Sequence, residues 1–124
     1  MAIRGVRGAT SVESNTKQAI LDETHTLLSE LITRNQIDPE DIASIFFSVT
    51  PDLNNAFPAE AARKMGLQHT PLLCLTEIDV PNSLAGCIRI LMHVNSTKKQ
   101  SEILPIYLKR ATALRPELSQ KQNG

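Results

Sequence analysis

Residues 71–78, PLLCLTEI, and residues 87–94, CIRILMHV, decide the fold of this chain. Both segments are short apolar runs rich in Leu, Ile and Val, which is typical of buried strands. Each run contains one charged residue, Glu77 in the first and Arg89 in the second. A charge inside a buried strand is costly unless it is paired. The pattern therefore predicts one of two arrangements: a structural ion pair, or a polar site in an apolar wall that holds a charged ligand.

The composition limits the class of protein. The length of 124 residues predicts one domain, over residues 1–118, with a flexible C-terminal tail at 119–124. Apolar residues make up 41% of the chain and aromatic residues only 3%, so an aliphatic core is expected. The 13 basic and 13 acidic residues balance, which argues against nucleic acid or an anionic membrane as a partner. With no export signal and no long apolar segment, a cytoplasmic protein with reduced cysteines is expected.

The rest of the chain predicts an α+β fold, with a single mixed sheet and one long helix packed on one face. The long helix is expected to begin at Ser14 or Asn15, to end near Thr33, and to stop at a left-handed Asn35. Its predicted buried stripe leaves Lys17 facing away from the core. Further elements are expected as strands at 2–10, 42–49 and 105–108 and as a short helix at 59–65. One helix cannot cover both faces of five strands, so the bare face is expected to be buried in an oligomer.

Polar side chains interrupt the apolar strands at a few positions, namely Arg7, Glu77, Arg89 and Tyr107, with Cys74 nearby. Guanidinium groups bind carboxylates through paired hydrogen bonds, and a carboxylate such as Glu77 accepts a hydrogen bond from a hydroxyl. The expected ligand is therefore a small hydroxylated acid with two carboxylates. None of the three histidines has a second metal ligand or a nucleophile at useful spacing, so no metal and no cofactor is predicted.

Several stretches together resemble the AroH-type (Bacillus-type) monofunctional chorismate mutases. They lie at residues 3–10, 50–53, 57–59, 74–80, 87–89, 107–108 and 114–118. The resemblance implies a homotrimer with a barrel-like core and active sites between subunits. It also implies the rearrangement of chorismate to prephenate, on the route to phenylalanine and tyrosine. A similarly shaped trimeric deaminase and a non-catalytic carboxylate-binding trimer remain as alternatives.

The same resemblance implies a role for each site residue. Arg89 would contact the ether oxygen and a carboxylate of chorismate, Arg7 and Tyr107 the side-chain carboxylate, and Glu77 and Cys74 the ring hydroxyl. The neighbouring subunit would contribute Phe57 and Arg63, and further substrate contacts are expected from Leu73, Leu75, Thr76, Leu114 and Arg115.

Three features of this sequence complicate that assignment. Glu60 stands where the Bacillus-type sequence has a lysine, which is expected to weaken the attraction for a dianion. Leu73 replaces a threonine and can offer only backbone groups. Strict alternation places Cys74 and Glu77 on opposite faces of one strand. This requires either a local irregularity or two subunits that share one site.

Overall fold

The computed structural model describes residues 1–118, and the predicted tail at 119–124 lies outside the described residues. Five strands form one sheet in the order β3-β2-β4-β1-β5. The strands are β1 (Ala2–Ser11), β2 (Ile42–Val49), β3 (Leu72–Thr76), β4 (Cys87–Ser96) and β5 (Ile106–Tyr107). Strand β4 is antiparallel to β1 and β2, whereas β3 is parallel to β2 and β5 is parallel to β1. The predicted mixed sheet is therefore confirmed.

The α-helices α1 (Lys17–Arg34) and α2 (Ala59–Lys64) accompany the sheet. Short 3-10 helices lie at Pro39–Asp41, Gln100–Glu102 and Lys109–Ala113. Helix α1 begins after Thr16, whose hydroxyl accepts a hydrogen bond from the Ala19 amide at 3.1 Å, and not after Ser14 or Asn15. Among the helices of residues 1–118, none is long and apolar enough to cross a membrane.

The end of α1 differs from the prediction. Asn35 has a φ of −95°, and the left-handed residue is Gln36, with a φ of 55°. The Asn35 side chain is buried and hydrogen-bonds to Leu104, donating to its carbonyl at 2.9 Å and accepting from its amide at 2.7 Å. Asn35 therefore links the helix end to the chain before β5, and its neighbour makes the turn.

The apolar stripe of α1 packs on one face of the sheet and forms the main core. Leu27, Leu28 and Leu31 are fully buried there, together with the strand residues Val6, Phe47, Ile90 and Met92. Gly8 allows this close approach: a Cβ atom at this position would lie 2.5 Å from the Ile106 carbonyl oxygen and 3.1 Å from Leu27 Cδ1. A side chain at position 8 would therefore push β5 and α1 away from β1.

The opposite face of the sheet, which we call the open face, is only partly covered. The C-terminal 3-10 helix packs over Ala9, Cys87 and Tyr107 in a small second cluster. Beyond this cluster, Leu73, Leu75 and Leu91 remain 49%, 46% and 42% exposed. A bare apolar face of this kind is typical of an interface with another copy, but the oligomeric state stays a prediction.

Candidate active site

One row of paired residues crosses all five strands on the open face. The strand register places Leu75 beside Ser48, Ser48 beside Arg89, Arg89 beside Ala9 and Ala9 beside Tyr107. All five line a cavity of 560 Å³, which we call the sheet cavity. Ala9 is the smallest of the five residues, so the methyl group between Arg89 and Tyr107 leaves room for a ligand. The register thus brings together residues that are far apart in sequence.

Glu77 is bound to this row although it follows the end of β3. Its Oε2 atom lies 3.3 Å from Arg89 Nε and accepts a hydrogen bond from the Ser48 hydroxyl at 3.1 Å. Its backbone amide donates to the Val49 carbonyl at 2.8 Å, which anchors the residue to β2. The predicted ion pair between the two charged residues is therefore present.

The pair is not buried in the single chain, contrary to the expectation from the apolar runs. The Arg89 side chain is 48% exposed and that of Glu77 is 32% exposed. The reason is that the side chains of β4 alternate between the two faces of the sheet. Ile88, Ile90 and Met92 point into the core, while Arg89 and Leu91 project from the open face. The charges therefore line a concave surface rather than a closed core.

Two more arginines complete the sheet cavity. Arg7 projects from β1, and among residues 1–118 no salt bridge engages its guanidinium. Arg115 donates from Nε to Glu117 at 2.6 Å, and this hydrogen bond raises the pKa of Arg115 above its ordinary value. Three guanidinium groups and the Tyr107 phenol around one cavity suit a ligand with carboxylate groups.

Most of the other predicted site residues line a second cavity, beside α2, which we call the helix cavity. It also measures 560 Å³ and is lined by Phe57, Arg63, Cys74 and Thr76, together with Lys17 and Glu60. Phe57 is 72% exposed. Leu75 borders both cavities, so they lie on either side of the edge strand β3. Two remaining predicted residues lie apart: Leu73 is outside both linings, and Leu114 packs in the cluster with Tyr107.

The separation of Cys74 from Glu77 has a simple geometric cause. Strand β3 pairs with β2 in an unbroken register from Leu72 to Thr76, so alternation along β3 is regular. Cys74 pairs with the buried Phe47 and contributes to the main core, whereas Leu75 pairs with Ser48 on the open face. A local irregularity, one of the two explanations offered by the sequence, is therefore absent from β3.

The two cysteines occupy different environments. Cys74 is half-buried at the helix cavity, and Cys87 is buried beneath the C-terminal 3-10 helix. Burial raises the pKa of the Cys87 thiol, although the positive charge of the nearby Arg89 opposes this effect. Cys87 therefore stays a neutral thiol and a packing residue.

Sequence reasoning missed two residues of these cavities. Ser48 lies in the strand predicted at 42–49 and was not named as a site residue, although Ser44, Phe46 and Ser48 share one face and indicate a less apolar side of β2. Lys17 faces away from the core as predicted, but its position at the helix cavity beside Glu60 was not predicted. No local pattern predicts that contact, because it depends on how α2 packs near the start of α1.

The fold and the two cavities define a small α+β protein whose open sheet face carries a cavity lined by guanidinium and hydroxyl groups. The sequence model of the family "Chorismate mutase type I" matches residues 3–118. The chain is 44% identical to chorismate mutase AroH of Bacillus subtilis over 99% of this chain and 98% of that protein. It is 43% identical to chorismate mutase AroH of Thermus thermophilus over 97% of this chain and 99% of that protein. A solved chorismate mutase from Clostridium thermocellum shares the fold, with a TM-score of 0.87 and 50% identity, covering 88% of this chain and 97% of that one. The chain belongs to the chorismate mutase type I family.

Proposed function

We propose that this chorismate mutase binds chorismate in the sheet cavity and rearranges it to prephenate by positioning and electrostatic stabilisation. The observation that carries the proposal is the row from Leu75 to Tyr107, which sets Arg89 among cationic and hydroxyl groups that suit a dicarboxylate. In the reaction, one carbon–oxygen bond breaks while one carbon–carbon bond forms within the same molecule. No proton is transferred, so the protein needs no acid or base.

Arg89 has the central role in this proposal. As the ether bond breaks, negative charge develops on its oxygen, and a fixed guanidinium beside that oxygen binds the transition state more tightly than the substrate. Glu77 Oε2 pairs with Arg89 and accepts a hydrogen bond from the Ser48 hydroxyl, so the position of Arg89 is set before the substrate arrives. Arg7 and Tyr107 bind the carboxylate of the side chain and keep the substrate in its compact, reactive conformer.

We also propose a homotrimer in which the helix cavity of one subunit closes the sheet cavity of the next. Support comes from the two sides of β3. Arg89 and Glu77 lie on the open face, whereas Cys74, Phe57 and Arg63 line the helix cavity on the other side. Residues on opposite faces of a strand can contact one ligand only if a second subunit contributes one set. The bare apolar face of the sheet supplies the contact surface for such an assembly. The proposed setting is the cytoplasm.

The test is to mix the purified protein with chorismate and follow the loss of its absorbance together with the appearance of prephenate. We expect turnover without added metal and an unchanged rate in the presence of a chelator. Binding of chorismate without turnover would identify the non-catalytic alternative. Unchanged chorismate, together with release of ammonia from an amino compound supplied in its place, would support the deaminase alternative. Inactivation by the chelator that an added metal reverses would contradict the metal-free mechanism.

The assembly is tested separately by sedimentation of the active protein. The expected mass is about 41 kDa, three times the 13.7 kDa of one chain. Leu91→Asp places a charge in the middle of the bare face and should shift the protein to smaller species with loss of activity. An active wild-type monomer would overturn the proposal that active sites lie between subunits.

A further inference from the structure

We propose that Lys17 is a substrate-binding residue of the helix cavity, where its ammonium group attracts a carboxylate of the ligand, and that Glu60 positions it. The inference rests on the proposed function, because it assigns the helix cavity to the same substrate. Lys17 Nζ lies 3.6 Å from Glu60 Oε1, and both residues line the cavity beside Phe57 and Arg63.

Helix stability does not account for a lysine at this position. Lys17 is the first residue of α1, directly after the capping Thr16, and the first turn contains no acidic residue. The amino end of a helix carries partial positive charge, which favours acidic side chains and disfavours cations there. A lysine at this point therefore weakens the helix slightly.

The ion pair with Glu60 does not account for it either. The two side chains are 63% and 31% exposed, and exposed ion pairs contribute only about 0–1 kcal/mol to stability. Such a pair is loose enough for an incoming anion to contact the ammonium. The pair therefore restrains Lys17 near the cavity without removing its charge from the solvent.

The charge balance of the cavity shows what Lys17 contributes. Its lining contains two cations, Lys17 and Arg63, and one anion, Glu60. Without Lys17 the two remaining charges would balance, and the cavity would no longer attract an anion. Lys17 thus offsets the acidic Glu60, the residue that was expected from the sequence to weaken attraction for a dianion.

The experiment compares Lys17→Gln with Lys17→Arg and uses Lys64→Gln as the matched control. Lys64 is an exposed cation of the last turn of α2 and is not part of the cavity lining. We expect Lys17→Gln to raise KM for chorismate about two- to fivefold, the range of one exposed charge interaction, with kcat unchanged. The dependence of kcat/KM on ionic strength should also weaken. Lys17→Arg and Lys64→Gln should keep the wild-type KM.

A second variant, Glu60→Lys, separates a binding role from a merely structural ion pair. If the cavity uses its positive charge for the substrate, this variant lowers KM although two like charges now face each other. If the pair is only structural, the variant lowers the melting temperature and leaves KM unchanged, and the inference is wrong. An unchanged KM in Lys17→Gln, in a protein that does turn over chorismate, overturns the inference alone. Absence of turnover in the wild-type protein overturns the proposed function instead.

Discussion

Glu77 reaches across strand β2 and pairs with Arg89 on β4, with Oε2 of the carboxylate 3.3 Å from Nε of the guanidinium. The same oxygen accepts a hydrogen bond from the hydroxyl of Ser48, which lies on β2 between the two charged residues. The pair is partly exposed, so it contributes about 0.2–1 kcal/mol to stability at most. Its main consequence is orientation, because the carboxylate of Glu77 holds the guanidinium of Arg89 at Nε.

Ser48 is therefore predicted to act as a positioning residue for Glu77. Ser48→Ala removes one hydrogen bond of about 0.5–1.5 kcal/mol, and we expect kcat to fall about 2- to 10-fold with little change in KM. Ser48→Thr keeps the hydroxyl and should restore kcat. Ser44→Ala is the matched control, because Ser44 lies on the same strand and interacts with His93 instead. Equal losses of kcat in Ser48→Ala and Ser44→Ala would refute the role of Ser48.

The mechanism also predicts that the chemical step shows no solvent deuterium isotope effect. Glu77 serves as a fixed anion that holds Arg89, and no proton moves between enzyme and substrate. The measurement is single-turnover kinetics in H₂O and D₂O, which separates chemistry from product release. A clear isotope effect on the chemical step would show proton transfer and would contradict this mechanism.

A separate prediction concerns the loop that follows β2. Burial raises the pKa of Asp52, but hydrogen bonds with the Thr50 side chain and the Gly86 backbone outweigh it and hold the pKa below its ordinary value of 3.8. A carboxyl group with a lowered pKa in the folded state stabilises the protein above pH 3.8, and this contribution is lost as the pH falls through the lowered value. Asp52→Ala should therefore lower the melting temperature by a few degrees at pH 7.

The pH dependence of that difference provides the check. The gap between the melting temperatures of Asp52→Ala and wild type should narrow as the pH falls below 3.8, where the unfolded state binds the proton. It should be smallest below the lowered pKa, where the folded state binds the proton too. Asp79→Ala, at an exposed carboxylate in the next loop, is the control and should leave the melting temperature unchanged. A gap of constant size from pH 7 to low pH would contradict the assigned role of the Asp52 charge.

The architecture was predictable because it depends on local patterns. The apolar run at 42–49 became β2 with the same bounds, and the stripe of α1 is buried as expected. The opposite charges in two apolar runs also predicted the Glu77–Arg89 pair, since each charge needed a partner. Local patterns carry this information because the period of hydrophobic residues differs between helices and strands.

The site itself was less predictable because it depends on register and packing. The row from Leu75 to Tyr107 exists only because β2 and β1 flank β4 with one particular alignment. The exposure of Arg89 follows from the bare face, which an apolar sequence run does not reveal. The contact of the exposed Lys17 with Glu60 was missed for a similar reason, because only the packing of α2 brings Glu60 beside it.

In the proposed mechanism, Arg89 stabilises the negative charge that develops on the ether oxygen. Arg89→Lys keeps the charge but loses the planar, multiply donating guanidinium, and an ammonium group is harder to desolvate. Removal of one well-aimed donor of this kind typically lowers turnover about 100- to 1,000-fold. We expect a loss of at least this size in kcat, a smaller change in KM, and a folded assembly of unchanged size.

Arg63→Lys is the matched control, because Arg63 is an exposed arginine of the helix cavity and is not expected to contact the breaking bond. The deciding measurement is the full kinetics of chorismate turnover by Arg89→Lys and Arg63→Lys, with thermal melts followed by circular dichroism. Arg89→Lys should lose at least about 100-fold in kcat, while Arg63→Lys should lose far less. A folded Arg89→Lys enzyme that keeps more than about a tenth of wild-type turnover, well short of the expected loss, would show that Arg89 is only the structural partner of Glu77.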